Sequence, residues 1–321
     1  TGQYSTIGGG INNITTGNGS VIGGGMTNIA SSYYSTVAGG INNISGSTGS
    51  FIGGGSSNRT WDNYATIAGG SSNGATGQYS TIGGGQGNKT GADYASIGGG
   101  RTNTATGQYS TVGGGDINNA TGTYSTIGGG LSNLSSSIRS TVGGGQSNTA
   151  SAQYSTVAGG LVNTTNGDYS TVAGGANNSA LYAYSIVAGG DFNTSWGTAA
   201  TVSGGSRNGI TGEYSTIGGG RSNDIRGRYA TLSGGRSNGA TGQYSVIGGG
   251  QNNITNGSHS TVGGGQSNNS DGHSSIIAGG SYNTTSGLNA AVCGGSTNIA
   301  AGQYSTILGG RNNTANGNGS V

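Results

Sequence analysis

Apolar positions along this chain keep a spacing of fifteen residues. Ile or Val stands at Ile7, Ile22, Val37, Ile52 and onward, replaced once, by Leu232, in the full repeats. Two residues earlier the chain carries only Ser or Ala, and between these two comes Thr in most repeats. With frames of fifteen counted from Thr1, places 4 to 8 (Tyr4-Ser5-Thr6-Ile7-Gly8) alternate in character with period two and include β-branched residues, which predicts a short strand. Places 5 and 7 then share one face, and places 4, 6 and 8 the other. Places 9 and 10 are Gly in all twenty-one full frames. A glycine pair ends a strand and opens backbone angles closed to other residues, so the chain is expected to turn there. A second short strand is predicted over places 12 to 15, where place 13 is always Asn and place 15 is small except at Ile210 and Ile225. Gly at place 2 makes the return corner.

Two strands and two tight corners in fifteen residues predict an all-β fold, a parallel β-solenoid, with places 5, 7, 13 and 15 inside. The core columns are represented by Ile7, Asn13, Ile82, Asn88, Val112, Asn118, Ile217 and Asn223. No insertion interrupts the frame, so residues 1–321 are expected to form one continuous array of about twenty-one coils. At a strand spacing of about 4.8 Å such a stack extends on the order of 100 Å. Each coil touches only its neighbours, and a column of identical residues pairs with itself. One Ile per coil is little apolar burial against the entropy of ordering fifteen residues. The outer face at places 4, 6 and 8 is therefore expected to pack on copies of the chain, giving a homo-oligomer.

Composition narrows this further. There are 77 Gly in 321 residues, no Pro and no Gly at every third position, which excludes a collagen helix. Low charge and abundant Gly resemble a disordered linker, but a linker keeps composition and not fixed columns. The net charge of +2 offers no nucleic-acid surface, and without a long apolar run no membrane contact is expected within these residues. The chain begins and ends inside a repeat, so a segment of a longer protein is expected, with anchor and caps elsewhere.

The frame Y-S-T-[IV]-G-G-G-x-x-N resembles the head repeat of trimeric autotransporter adhesins and similar repeats of bacterial surface and viral fibre proteins. That resemblance spans the whole chain and implies a left-handed β-roll, a homotrimer and an extracellular, cell-surface or virion location. This chain departs from it in its strict period of fifteen, its small residue at place 5 and its extra Gly pair.

The Asn column has two readings. Inward amides stacked on their own copies form a hydrogen-bond ladder that pins register. Alternatively, the sixteen N-x-[ST] sequons are glycosylation acceptors; ten of them begin at place 13, where they arise automatically from an Asn column set two before a small-residue column. The ladder is preferred, leaving Asn18, Asn119, Asn256 and Asn318 as the better glycan candidates.

Catalytic chemistry has little support. His259 and His273 occupy different places, 4 and 3, with no carboxylate at the same place in an adjoining coil, and Cys293 at place 8 is expected to be a packed, inert thiol. Glu213 and Asp224 are the nearest acidic pair, at places 3 and 14. No metal, cofactor or enzymatic role is expected. Arg207, Arg221, Arg226, Arg228 and Arg236 concentrate basic charge in about three coils, either as a patch for acidic glycans or as a solvated rim. Trp61 and Trp196 both take place 1, as sugar-stacking platforms or as contacts with a neighbouring chain. The expected function is a structural extracellular fibre or adhesin head or stalk, whose partners are its own copies and host or surface glycans. A phage-type tail-fibre spacer is the alternative, and an ice-binding solenoid, suggested by the Thr column, is disfavoured by Tyr and Gly at the flanking places.

Overall fold

The computed structural model describes residues 2–321. They divide into two compact units, one ending at Val162 and the other Asn163–Val321. Each is a parallel β-solenoid of 15-residue coils, and no helix occurs among the described residues. None is therefore long and apolar enough to cross a membrane.

In the first unit one ladder runs from Thr6–Ile7 to Thr156–Val157 and a second from Ile14–Thr15 to Thr149–Ala150. Pairing is parallel with partners fifteen apart, as in Thr81↔Ser96 and Lys89↔Thr104. A third line of single bridges joins place 11 of successive coils, from Ile11↔Met26 to Gln146↔Leu161. The second unit repeats this plan, with ladders from Thr171–Val172 to Thr306–Ile307 and from Thr164–Thr165 to Thr314–Ala315.

Each strand is two residues long, shorter than expected. Places 4 and 12, assigned to strands from their alternation, adopt the left-handed region instead: Tyr79 and Ser72 both have φ of 57°. Such a residue turns the chain out of an extended path, so only places 6–7 and 14–15 remain straight enough to pair. The two invariant glycines also differ. Gly115, at place 10, has φ of +89°, and a Cβ there would lie 2.2 Å from the carbonyl oxygen of Gly130 in the next coil. Backbone angle and close approach both require glycine. At Gly114, place 9, a Cβ would meet nothing within 4 Å and φ lies outside the left-handed range, although Gly84 at the same place has φ of +153°.

The interior holds places 5, 7, 13 and 15, as in Ser80, Ile82, Asn88 and Thr90, all fully buried. Val112, Asn118, Ile217 and Asn223 are buried too. Ile7 departs from the expected core: it is 45% exposed, and Asn13 is half-buried, because the first coil is covered from one side only. The two small columns compensate each other in volume. Where place 5 shrinks to Ala65, Ala95, Ala200, Ala230 or Ala290, the preceding place 15 is Thr60, Thr90, Ser195, Ile225 or Thr285 and never Ala. Close packing demands such complementarity when the walls are this near.

The Asn column holds successive coils in register through a more specific bond set than amide-to-amide stacking. Asn88 Oδ1 accepts the backbone N–H of Asn103 at 2.9 Å. Its Nδ2 donates to the carbonyls of Gly84 in its own coil and Gly100 in the next, both at 2.9 Å. Direct amide-to-amide bonds occur as well at a few coils, such as Asn133 Nδ2 to Asn118 Oδ1 at 3.1 Å. The glycine pair and the asparagine thus belong to one device: the turn presents carbonyls and the amide ties them to the neighbouring coil.

Candidate functional site

Outward residues carry whatever this solenoid recognises, and their geometry follows from the coil repeat. Tyrosines at place 4 are carried on left-handed backbone, with φ between 57° and 59° in Tyr64, Tyr79, Tyr94, Tyr109 and Tyr124. Their rings stack in the first unit with centroids 4.8 to 5.2 Å apart and planes within 13°. The strand repeat of about 4.8 Å matches ring-stacking distance, so a column of identical aromatics stacks without adjustment. In the second unit Tyr214, Tyr229 and Tyr244 form a similar run, continued by the His259 ring 4.8 Å from Tyr244. In the first, Arg139 takes the place of a ring and lies 5.5 Å from Tyr124 and 5.4 Å from Tyr154.

The five arginines singled out by density do not form one cluster. Arg221 and Arg236 are bridge partners at place 11, with Ser206 before them. Arg207 lies beside Ser206 and its guanidinium sits 5.7 Å over Phe192. Arg226 and Arg228 belong to the return corner, beyond the second strand, and both are engaged by acids. Arg226 Nε donates to Asp224 at 2.8 Å. Arg228 pairs with Glu213, and that hydrogen bond holds the guanidinium proton more tightly than usual. The same two bonds tie Glu213 and Asp224 to separate arginines.

The remaining candidates also acquire positions. His259 and His273 come to 5.4 Å between ring centroids, and His273 Nδ1 lies 2.9 Å from Ser274 Oγ. No group of three His, Cys, Asp or Glu able to hold a metal ion occurs among the described residues. Cys293 is exposed and not packed, since place 8 points outward directly after the inward place 7. The sequon amides of place 13 are committed to glycine carbonyls, whereas Asn256 and Asn318 are exposed.

Both tryptophans border clefts. Beside Trp196 a cleft of about 500 Å³ is lined by Tyr182, Thr198, Thr211 and Glu213. Beside Trp61 one of about 470 Å³ includes Arg59, Gly74 and Lys89. Sequence reasoning noticed the tryptophans and missed the second feature: each is followed thirteen residues later by Gly at place 14, at Gly74 and Gly209. Gly occurs at place 14 only once more, at Gly239, and the pairing of Gly at place 14 with Trp thirteen residues earlier was the available signal. The chain matches no protein-family model and no curated protein sequence.

Proposed function

We propose that this chain is a structural, non-enzymatic element of an extracellular fibre or adhesin head or stalk, in which copies of the solenoid pack together as a homotrimer. The observation that carries the reading is the tyrosine column. A non-glycine residue in the left-handed region costs about 1 kcal/mol or more, and Gly or Asn would avoid much of it. Stacking offsets part of that cost, at about 0.5–1.5 kcal/mol per ring pair. The five rings from Tyr64 to Tyr124 nonetheless remain 40–48% exposed. Flat, regularly spaced ring edges of this kind suit a matching surface on another copy.

A phage-type tail-fibre spacer has the same physical requirements and differs in what flanks the repeat. For ice binding, the Thr column is the supporting feature, but a two-residue strand such as Thr81–Ile82 presents one outward residue per coil and so a single Thr rank on that ladder. Sedimentation equilibrium or light scattering tests the packing directly: three chains per particle are expected, and a monomer at micromolar concentration overturns it. Ice shaping in a thermal-hysteresis assay would overturn the preference over the ice-binding alternative.

A further inference from the structure

We propose that the cleft around Gly74 in the first unit binds an acidic carbohydrate, a sulfated or uronate-bearing oligosaccharide. Place 14 points outward on the second ladder, and in the early coils it reads Ile14, Ile29, Ile44, Arg59, Gly74, Lys89. Gly74 is the direct register partner of both Arg59 and Lys89. With neighbouring strands about 4.8 Å apart, the two cationic residues are rooted about 10 Å from each other across an empty rung. Nothing among the described residues fills that rung: a Cβ on Gly74 would meet no atom within 4 Å, and its φ is not one that demands glycine. The absent side chain is therefore unneeded by the coil and opens the cleft of about 470 Å³.

The lining suits an acidic sugar. Arg59, Trp61, Ser72, Thr76 and Lys89 surround the gap, and no carboxylate lines it. Among the described residues the ion pairs involve Arg101, Arg226 and Arg228, so neither Arg59 nor Lys89 is neutralised by an acid. The Arg59 guanidinium lies 6.0 Å from the centre of the Trp61 ring, which is itself 55% exposed. An exposed indole is a flat apolar plate for the C–H face of a pyranose, and adjacent cations are placed for its sulfate or carboxylate. Thr76 Oγ1 donates to the Thr90 carbonyl at 2.8 Å, which leaves its lone pairs to accept from a sugar hydroxyl. The floor is held by the amide ladder, with Asn73 Nδ2 bound to Gly69 and Gly85 carbonyls at 3.0 and 2.9 Å.

The second unit contains an internal contrast. Gly209 follows Trp196 as Gly74 follows Trp61, but its register partners are Thr194 and Asp224, and Glu213 lines the neighbouring cleft. The rung is not open there, since a Cβ on Gly209 would touch Asp224 Oδ1 at 3.7 Å and the Trp196 ring at 3.9 Å, and it lacks the two flanking cations, so acidic ligands are assigned to the Trp61 cleft alone.

The inference supplies a ligand class for the adhesin reading and rests on it for the extracellular source of that ligand. Calorimetric titration of the chain with a short heparin-derived oligosaccharide, an oligoglucuronate and inorganic polyphosphate tests it. Binding of at least one of the two glycans is expected, and which one binds separates sulfate from carboxylate recognition. Gly74→Ile, which restores the residue of Ile14, Ile29 and Ile44, should weaken it about tenfold or more by filling the rung. Arg59→Gln combined with Lys89→Gln should do the same, and being confined to exposed side chains it decides the matter should Gly74→Ile misfold. Trp61→Ala should weaken the glycan and leave any polyphosphate binding unchanged. Arg221→Gln with Arg236→Gln should bind as the parent does. No glycan binding by the parent, undiminished binding by a folded Gly74→Ile, or equal loss in the Arg221 and Arg236 variant overturns the site. Particle mass is measured on the same samples: loss of binding at unchanged mass refutes the cleft alone, while a monomer that still binds refutes only the packing.

Discussion

Replacing Asn118 by Ala removes one rung of the amide ladder, and the structure says what that leaves behind. Asn118 Oδ1 accepts the backbone N–H of Asn133 at 3.0 Å. Nδ2 donates to the carbonyls of Gly114 and Gly130, both at 2.9 Å. Gly130 O keeps a second donor, the Asp116 N–H at 2.9 Å. The groups stranded are thus the Asn133 N–H and the Gly114 carbonyl. At about 1–3 kcal/mol for each polar group left unpaired, the expected loss is roughly 2–6 kcal/mol. Because each coil contacts only its neighbours, the damage should stay local. Native-state hydrogen exchange is the suitable assay: the Asn133 amide should lose protection while distant coils of the first unit keep theirs. Asn118→Asp sharpens the test. Its second oxygen would face the two glycine carbonyls in place of an amide, so ionisation is opposed and the folded-state pKa rises above the ordinary value of about 3.9. The ionisation penalty is then full above the raised pKa, shrinks as pH falls through it, and vanishes below the unfolded value. A protected Asn133 amide in Asn118→Ala, with a stability loss under about 1 kcal/mol, would refute the assignment of register to this ladder.

The other expectations separate residues that look equivalent in sequence. Gly115→Ala should cost several kcal/mol, roughly 3 or more, through left-handed strain and collision with Gly130, whereas Gly114→Ala should stay within about 1 kcal/mol; similar urea midpoints for the two variants would contradict this. Ser140 Oγ donates to the Ser137 carbonyl at 2.8 Å and lies 2.7 Å from Ser135 Oγ, while the buried Ser125 Oγ has no partner. Ser140→Ala should therefore lose about 1 kcal/mol and Ser125→Ala should be neutral or stabilising, and thermal unfolding that ranks them the other way would refute the bond assignment. Hydrogen bonding to Arg101 holds the Asp116 carboxyl below its ordinary range. The pair's contribution is accordingly present above the unfolded carboxyl pKa and lost as pH falls through the lower folded value. Carboxyl-carbon NMR titration should show the pKa of Asp116 returning toward normal in Arg101→Gln, and an unchanged titration would refute the pairing.

Much of the fold was legible because a parallel solenoid writes its contacts at a single spacing. Residues that touch between coils are fifteen apart, so Ile82, Val112 and Asn118 announce themselves as columns. The inward set at places 5, 7, 13 and 15 followed from alternation alone. The same alternation misled at places 4 and 12, since a left-handed φ leaves no mark when Tyr or Ser occupies it. The same alternation already set Cys293 on the outer face, where it is exposed. The candidate site was less legible. Five arginines close in sequence were separated by the second strand, and two of them were claimed by Asp224 and Glu213. The Gly74 cleft depends on Arg59 and Lys89 standing on either side of one missing side chain, which is visible only once column 14 is recognised as an outer wall.

The amino-acid sequence by itself determined the period, the residues that stack on their own copies and the class of fold, since a self-pairing column can be satisfied only by repetition. Tertiary structure decided which of two invariant glycines closes the turn, which amide binds which carbonyl, and where the outer wall opens. Those outcomes depend on the distance from one coil's side chains to the next coil's backbone, such as the 2.2 Å that a Cβ on Gly115 would leave to the Gly130 oxygen. Such distances exist only after the chain has wound.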